Sequence, residues 1–350
     1  MFGLEKPIIV AGPCSAESEI QIYRTFKELS KDQRVNFLRA GVWKPRTRPN
    51  SFEGKGEEAL QWIVSASKQV QLPSIIEVAN ARHVESALKA GINAIWIGAR
   101  TTVNPFTVQE IADSIAGVDI PVLIKNPVNP DVQLWLGAIE RIQKAGVKQI
   151  FAVHRGFSVY NHSIYRNVPN WEIPMSLREF MPELPILCDP SHICGNRHGL
   201  QEVSQKSMDL NYDGLMIETH FKPAEALSDS NQQITPSALF ELLDKLTIRN
   251  KYFSESTQSV IEKIRSQIAS MDDEIFNRIA QRMKLSEKIG AIKKENHIMI
   301  YQHDHWKKVI ENRLSQEKEL DLSYDFLRKV MDAIHQESIQ HQTKVMNTND

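Results

Sequence analysis

The chain has 350 residues, 41% of them hydrophobic and 24% charged, with a formal net charge of -1. That is an ordinary globular composition, long for one compact domain and comfortable for two, and it gives no global reason to expect nucleic acid or an anionic membrane as partner. Three cysteines, Cys14, Cys188 and Cys194, are too few for a disulfide framework, and with no secretory-type start and no run of roughly 20 apolar residues they predict a cytoplasmic protein.

In chain order, eight short apolar runs alternate with amphipathic stretches: PIIVAG (7–12), NFLRAGV (36–42), SIIEVA (74–79), AIWIGA (94–99), PVLIK (121–125), QIFAV (149–153), PILCD (185–189) and GLMIE (214–218). Each is nearly continuous in apolar residues, as strands buried on both faces are. Helical patterns such as EEALQWIVSASKQV and VESALKAG lie between them, the latter ending in an Ala-Gly stop. Eight strands, each followed by a helix, predict a (β/α)8 TIM barrel over residues 1–246. An open doubly wound sheet is the rival, but AGPCS stands where its Gly-rich phosphate loop would be.

After a polar linker at 247–257 the pattern changes. Glycine is confined to Gly290 and proline is absent, while Ile261, Ile264, Ile268, Met271, Ile275, Ile279 and Met283 recur in steps of three and four. That spacing predicts one face of a long helix. Shorter helices are predicted near His303–Glu317 and Ser323–Lys344, with Ser323 as N-cap and Asp325 in the first turn. Residues 258–350 therefore read as an all-α three-helix domain.

Polar residues gather where the eight runs end: Cys14; Arg39 and Lys44, Arg46, Thr47; Glu77; Arg100; Lys125; His154 and Arg155; Asp189 and His192; Glu218 and His220. In a barrel these positions form the active-site rim. Arg39, Lys44, Arg46, Arg100, Lys125 and Arg155 would converge on one cleft, and like charges packed together call for anions to neutralise them. Arginine forks and a lysine point charge suit phosphate and carboxylate. Cys14, His192, Glu218 and Asp229 mix a soft thiolate, an imidazole and hard carboxylates, a set suited to a borderline or transition divalent ion. A lone cysteine at a strand end is more often a buried core thiol, so the joint placement is the signal.

GPCS at 12–15, KPRT at 44–47, GAR at 98–100, DPSH at 189–192 and ETH…ALSD over 218–229 together resemble the short-barrel branch of the 3-deoxy-D-arabino-heptulosonate 7-phosphate (DAHP) synthases. The resemblance covers about residues 1–245. It implies a divalent metal, Mn2+ first, with Fe2+, Co2+ or Zn2+ as alternatives, on Cys14, His192, Glu218 and Asp229. It implies that Arg39, Lys44, Arg100, Lys125 and Arg155 hold phosphoenolpyruvate, and that Arg46 and Thr47 grip the phosphate of erythrose 4-phosphate. Lys44 would also donate a proton near the aldehyde oxygen. The sister 3-deoxy-octulosonate 8-phosphate synthase is the alternative, disfavoured because it usually carries an Asn-containing variant of KPRT.

From Ser259 onward the chain is similar to the all-helical chorismate mutases, through Arg265, Arg282, Lys293, Ser338 and Gln342. Gln302, His305 and Trp306 depart from that family, standing where Asp, Arg and Glu often sit. The resemblance implies rearrangement of chorismate to prephenate, a homodimer in which the first helix lends its arginine to the neighbouring site, and feedback by prephenate on the barrel. A catalytically weak sensor and dimerisation module is the alternative for the tail.

Overall fold

The computed structural model describes residues 7–44, 52–160, 163–249 and 255–348. The chain divides into two compact units, Met1–Lys251 and Tyr252–Asp350.

In the first unit eight parallel strands close into a barrel in sequence order. They are β1 (Ile8–Gly12), β2 (Val35–Ala40), β3 (Ser74–Val78), β4 (Ala94–Ile97), β5 (Val122–Lys125), β6 (Ile150–His154), β7 (Ile186–Cys188) and β8 (Gly214–Glu218). Each lies on a predicted apolar run. β1 closes the ring against β8, in register from Ile8 with Gly214 to Gly12 with Glu218. The connecting helices are α1 (Glu19–Leu29), α2 (Glu57–Val70), α3 (Ala81–Ala90), α4 (Ala99–Thr102), α5 (Pro105–Ser114), α6 (Val132–Lys144), α7 (Glu172–Phe180), α8 (Pro190–Cys194), α9 (Leu200–Asp209) and α10 (Pro236–Asp244). Local chemistry sets several starts: Ser18, Asn80, Asp131 and Thr235 each accept a backbone N–H of the following turn. The predicted Ala-Gly stop is real, with Gly91 in the left-handed conformation ending α3.

Because strand side chains alternate faces, the barrel has two apolar cores. Ile9, Ala11, Leu38, Ile76, Ile95, Ile124, Ala152 and Ile217 pack outward against the helices. Ile8, Val10, Phe37, Ile75, Ala94, Trp96, Leu123, Phe151, Val153, Leu187 and Met216 fill the barrel interior. The site lies one step further along the inward column. Two residues beyond Phe37, Ile75, Leu123, Val153, Leu187 and Met216 come Arg39, Glu77, Lys125, Arg155, Asp189 and Glu218. The same parity takes His154 and Cys188 out of the mouth. Among the described residues all three cysteines are buried and free, and no helix is long and apolar enough to cross a membrane.

The second unit consists of α11 (Glu255–Glu295), α12 (His303–Leu314), a one-turn α13 (Glu317–Leu320) and α14 (Tyr324–Asn347). Ser323 caps α14 through the N–H of Phe326, as its position predicts. The C-terminal half of α11 packs on α14. Gly290 permits this, since a Cβ there would meet Gln342 Cα at 3.1 Å. On the N-terminal half of α11 the apolar stripe stays exposed, with Ile264 at 50%, Met271 at 63% and Ile275 at 55%.

Candidate active sites

At the barrel mouth Glu218 is fully buried. Its Oε1 accepts from Arg39 Nη2 at 3.0 Å and its Oε2 from Gln232 Nε2 at 2.6 Å. Across the β1–β8 seam, Cys14 Sγ lies 3.2 Å from Asp229 Oδ2. Cys14, Glu218 and Asp229 each offer a ligand atom, all within 4.8 Å of one another. His192 stands beside this trio, its Nε2 3.7 Å from Glu218 Oε1 and its Nδ1 2.8 Å from Asp189 Oδ2. A carboxylate behind an imidazole is the usual support of a metal-ligating histidine. Asp229 adopts a positive φ of 47°, which Asp tolerates better than most residues.

The protonation states fit a divalent ion. Burial opposes charge on Glu218 and Asp229, yet His192, Arg39 and Lys44 hold Glu218, and Arg166 and His192 hold Asp229, below the ordinary carboxylate range. Burial outweighs Asp189 and lowers the His192 pKa, leaving a neutral imidazole. Burial and the Glu218 charge push the Cys14 thiol up to about 12. The thiol therefore surrenders a proton when it ligates a metal.

The cations are not left to repel one another. Arg39 pairs with Glu218, Lys125 Nζ lies 2.7 Å from Asp189 Oδ2, and Glu77 acts on both cations. Arg39 and Lys125 thus each have a buried carboxylate partner within the site, which offsets part of the like-charge crowding. The pointer to a ligand is narrower. Arg39 is 1% exposed, and its Nε and Nη1 have no hydrogen-bond partner among the described residues. Such orphaned charged donors are costly inside a protein. The guanidinium lies 4.9 Å from the Trp96 ring centre, with Lys125 at 5.9 Å from the same ring.

Lys44 reaches the same cluster. Burial opposes its charge, but Cys14, Glu77 and Glu218 raise its pKa above the ordinary value. Glycine at 41 makes room, since a Cβ there would lie 2.8 Å from Lys44 Nζ and 2.5 Å from Cys14 O. Arg155 Nη1 donates to Asn167 Oδ1 at 2.6 Å, and burial lowers its pKa to about 10. Arg100 is exposed on α4, close enough to Arg155 to lower its pKa further. Arg46 and Thr47 lie outside the described residues.

Six residues of the site had no role from sequence. Asp189 and Glu77 were visible as strand-end residues on the inward column. Trp96 sits one layer below. Arg166, Asn167 and Gln232 come from loops and carry no strand-end signal.

In the helical unit Arg282 Nη1 hydrogen-bonds Ser338 Oγ, and Lys293 Nζ donates to Ile300 O at 2.6 Å. Gln342 is buried, and its Oε1 has no partner among the described residues. Burial lowers the pKa of both Arg282 and Lys293. Arg265 is exposed on α11. Seventeen residues separate it from Arg282, roughly 25 Å along one helix, so the two cannot serve one site from the same chain. Gln302 and His305 are exposed, while Trp306 stacks on His335 at 3.8 Å.

Residues 1–253 match the DAHP synthetase I family, and residues 264–343 match chorismate mutase type II. The phospho-2-dehydro-3-deoxyheptonate aldolase of Thermotoga maritima is 30% identical over 248 residues, 71% of this chain and 70% of that protein. A crystal structure of phospho-2-dehydro-3-deoxyheptonate aldolase (DAHP synthase) from that organism superposes with a TM-score of 0.62 at 29% identity, over 68% of this chain and 67% of that one. The 2-dehydro-3-deoxyphosphooctonate aldolase of Wolinella succinogenes is 26% identical over 263 residues, 68% of this chain and 97% of that protein. The chain belongs to the DAHP synthetase I family and carries a chorismate mutase type II domain, two enzymatic units of the shikimate pathway on one polypeptide.

Proposed function

We propose that the barrel joins phosphoenolpyruvate to erythrose 4-phosphate, giving DAHP and inorganic phosphate. The observation that carries this reading is Arg39, a buried guanidinium with two unpaired nitrogens beside a possible metal cluster. Arg39, Lys125 and Arg155, with Arg100 at the rim, bind the carboxylate and phosphate of phosphoenolpyruvate. Arg46 and Thr47 take the phosphate of the sugar. A divalent ion on Cys14, His192, Glu218 and Asp229, Mn2+ by first choice, would supply Lewis acidity toward the aldehyde oxygen. Lys44 gives a proton to that oxygen as carbon-3 of phosphoenolpyruvate forms the new bond to the aldehyde carbon. Water adds at carbon-2, and the carbon-2–oxygen bond to phosphate breaks. The cationic side chains hold two mutually repelling anions in line.

Phosphate release tests this directly. Erythrose 4-phosphate supports turnover and arabinose 5-phosphate does not; EDTA stops the reaction and Mn2+ restores it. Preference for the five-carbon sugar would move the barrel to octulosonate chemistry, as in the Wolinella relative. Turnover in EDTA would remove the metal.

The helical unit, on the same reading, converts chorismate to prephenate. Arg282 and Ser338 engage a carboxylate, and Lys293 and Gln342 face the ether oxygen where negative charge develops. Arg265 comes from a second copy, and the exposed apolar stripe on α11 supplies the dimer surface. Mixing Arg265→Ala with Arg282→Ala, each inactive alone, recovers mutase activity in one of the two sites of the mixed dimer; no recovery rules out sharing. Prephenate lowers the synthase rate of the intact chain. An unchanged rate with prephenate bound removes the feedback. The stacking of Trp306 on His335, in place of an acid, favours a slower mutase that serves chiefly as the sensor.

A further inference from the structure

Between β6 and α7 the segment 166–169 forms a short strap beside the site, and the side chains of Arg166 and Asn167 reach into it. Backbone hydrogen bonds tie the strap to the barrel unit. Phe157 and Val168 exchange backbone hydrogen bonds of 2.8 and 2.9 Å, and Asn167 N donates to Ile193 O at 3.1 Å. His154 Nε2 donates to Pro169 O at 2.6 Å. Two glycines clear its path. A Cβ on Gly156 would lie 2.5 Å from Asn167 O, and one on Gly195 would lie 2.4 Å from Arg166 Cβ. Both have positive φ, 77° and 67°, where a side chain is strained in any case.

Asn167 uses both ends of its amide. Oδ1 accepts from Arg155 Nη1 at 2.6 Å, and Nδ2 donates to the backbone oxygen of His192 at 2.6 Å. Its neighbour Arg166 turns the other way. Nη1 donates to Asp229 Oδ1 at 2.9 Å and to Gln232 Oε1 at 2.8 Å. Gln232 in turn donates to Glu218 Oε2 at 2.6 Å. Two adjacent residues thus join an anion-binding arginine to three of the four candidate metal ligands.

We propose that Arg166 and Asn167 are positioning residues that couple anion binding at Arg155 to metal binding at Cys14, His192, Glu218 and Asp229. This rests on the assignment of those residues made above. An anion on Arg155 fixes the guanidinium rotamer, which fixes the Asn167 amide, which fixes the His192 backbone. The metal then binds a histidine already ordered, and coupling of this kind is reciprocal.

The test titrates Mn2+ into full-length protein, following free Mn2+ by electron paramagnetic resonance, with and without saturating phosphoenolpyruvate. Wild type gains at least about fivefold in Mn2+ affinity from phosphoenolpyruvate, at the lower end of ordinary coupling. Asn167→Ala reduces that gain to less than about twofold, while its metal-free melting temperature stays near that of wild type. Asn167→Ser, which keeps a small polar group, is the second variant should the first fold poorly. Arg166→Ala weakens Mn2+ binding without altering phosphoenolpyruvate affinity measured in EDTA by tryptophan fluorescence. Full coupling retained in both Asn167 variants, or no coupling in wild type, overturns the inference. Failure of the underlying assignment looks different: Cys14→Ala would then bind Mn2+, and Arg155→Ala phosphoenolpyruvate, as tightly as wild type.

Discussion

Replacing Arg39 by methionine separates the electrostatic role of this residue from its bulk. Arg39 is 1% exposed and Glu218 is fully buried, 3.0 Å apart. Methionine fills much of the same volume over Trp96 but leaves Glu218 without its closest cation. Breaking one side of a buried ion pair costs about 3–5 kcal/mol. Lys44 acts on the same carboxylate, so the lower figure, about 3 kcal/mol, applies. For a barrel of this size each kcal/mol moves the melting temperature by about 2 °C, giving a drop of about 6 °C. Calorimetry of the metal-free protein in EDTA reads it. The pH dependence has a definite sign. Glu218 has a lowered folded pKa, so its stabilisation is present above the unfolded value and lost as pH falls. The deficit of Arg39→Met is therefore full at pH 7 and narrows toward pH 4. Adding Glu218→Gln recovers most of the loss at neutral pH, because a neutral amide needs no cation. A melting drop below 2 °C, or one as large at pH 3.5 as at pH 8, would refute the pairing argument.

Three further outcomes follow from the same geometry. Lys44→Met lowers DAHP formation by about 10²–10⁴-fold, the usual worth of a positioned proton donor, with the fold intact; near-normal turnover removes the role. His154 is buried with its pKa lowered to about 4, chiefly by burial. The unfolded imidazole takes up a proton near pH 6.5 and the folded one does not, so stability falls by on the order of 3 kcal/mol as pH drops from 7 to 4. His154→Gln flattens that part of the denaturation profile, and an unaltered profile assigns the acid sensitivity elsewhere. Arg282→Ala, read by loss of chorismate absorbance, lowers mutase activity by at least about 100-fold and leaves unliganded synthase turnover intact.

The sequence was most informative where burial leaves one solution. A parallel strand covered on both faces is an apolar run, and eight such runs appear as β1 to β8 within a residue or two of their predicted bounds. The two-residue period carries further than run-finding. Counting two on from Leu123 or Met216 reaches Lys125 or Glu218, whereas counting one on from Val153 reaches His154, which faces outward. There Tyr212 OH donates to Nδ1 at 3.0 Å while Nε2 donates to Pro169 O, so both nitrogens are satisfied away from the mouth. A strand-end histidine and a strand-end arginine one residue apart thus have different fates, and parity alone separates them.

What stayed hidden in the sequence is the set of groups whose partners are chosen by the folded chain. Arg166 and Asn167 sit in an irregular segment where neither period applies, and their neighbours Arg155, His192, Asp229 and Gln232 are between 12 and 66 residues away. Nothing local distinguishes Asn167 from any loop asparagine. Two glycines offer the nearest trace, because Gly156 and Gly195 follow directly on Arg155 and Cys194 at positive φ, where the Asn167 backbone and the Arg166 side chain respectively pass too close for a Cβ. If the strap needs that space, Gly195→Ala displaces Arg166 from Asp229 and weakens Mn2+ binding even though residue 195 touches no candidate ligand. The same substitution at Gly91, also at positive φ but with open space around it, costs only backbone strain and leaves Mn2+ affinity unchanged. Equal effects from the two alanines on Mn2+ binding would mean that the strap's close fit has no bearing on the metal site.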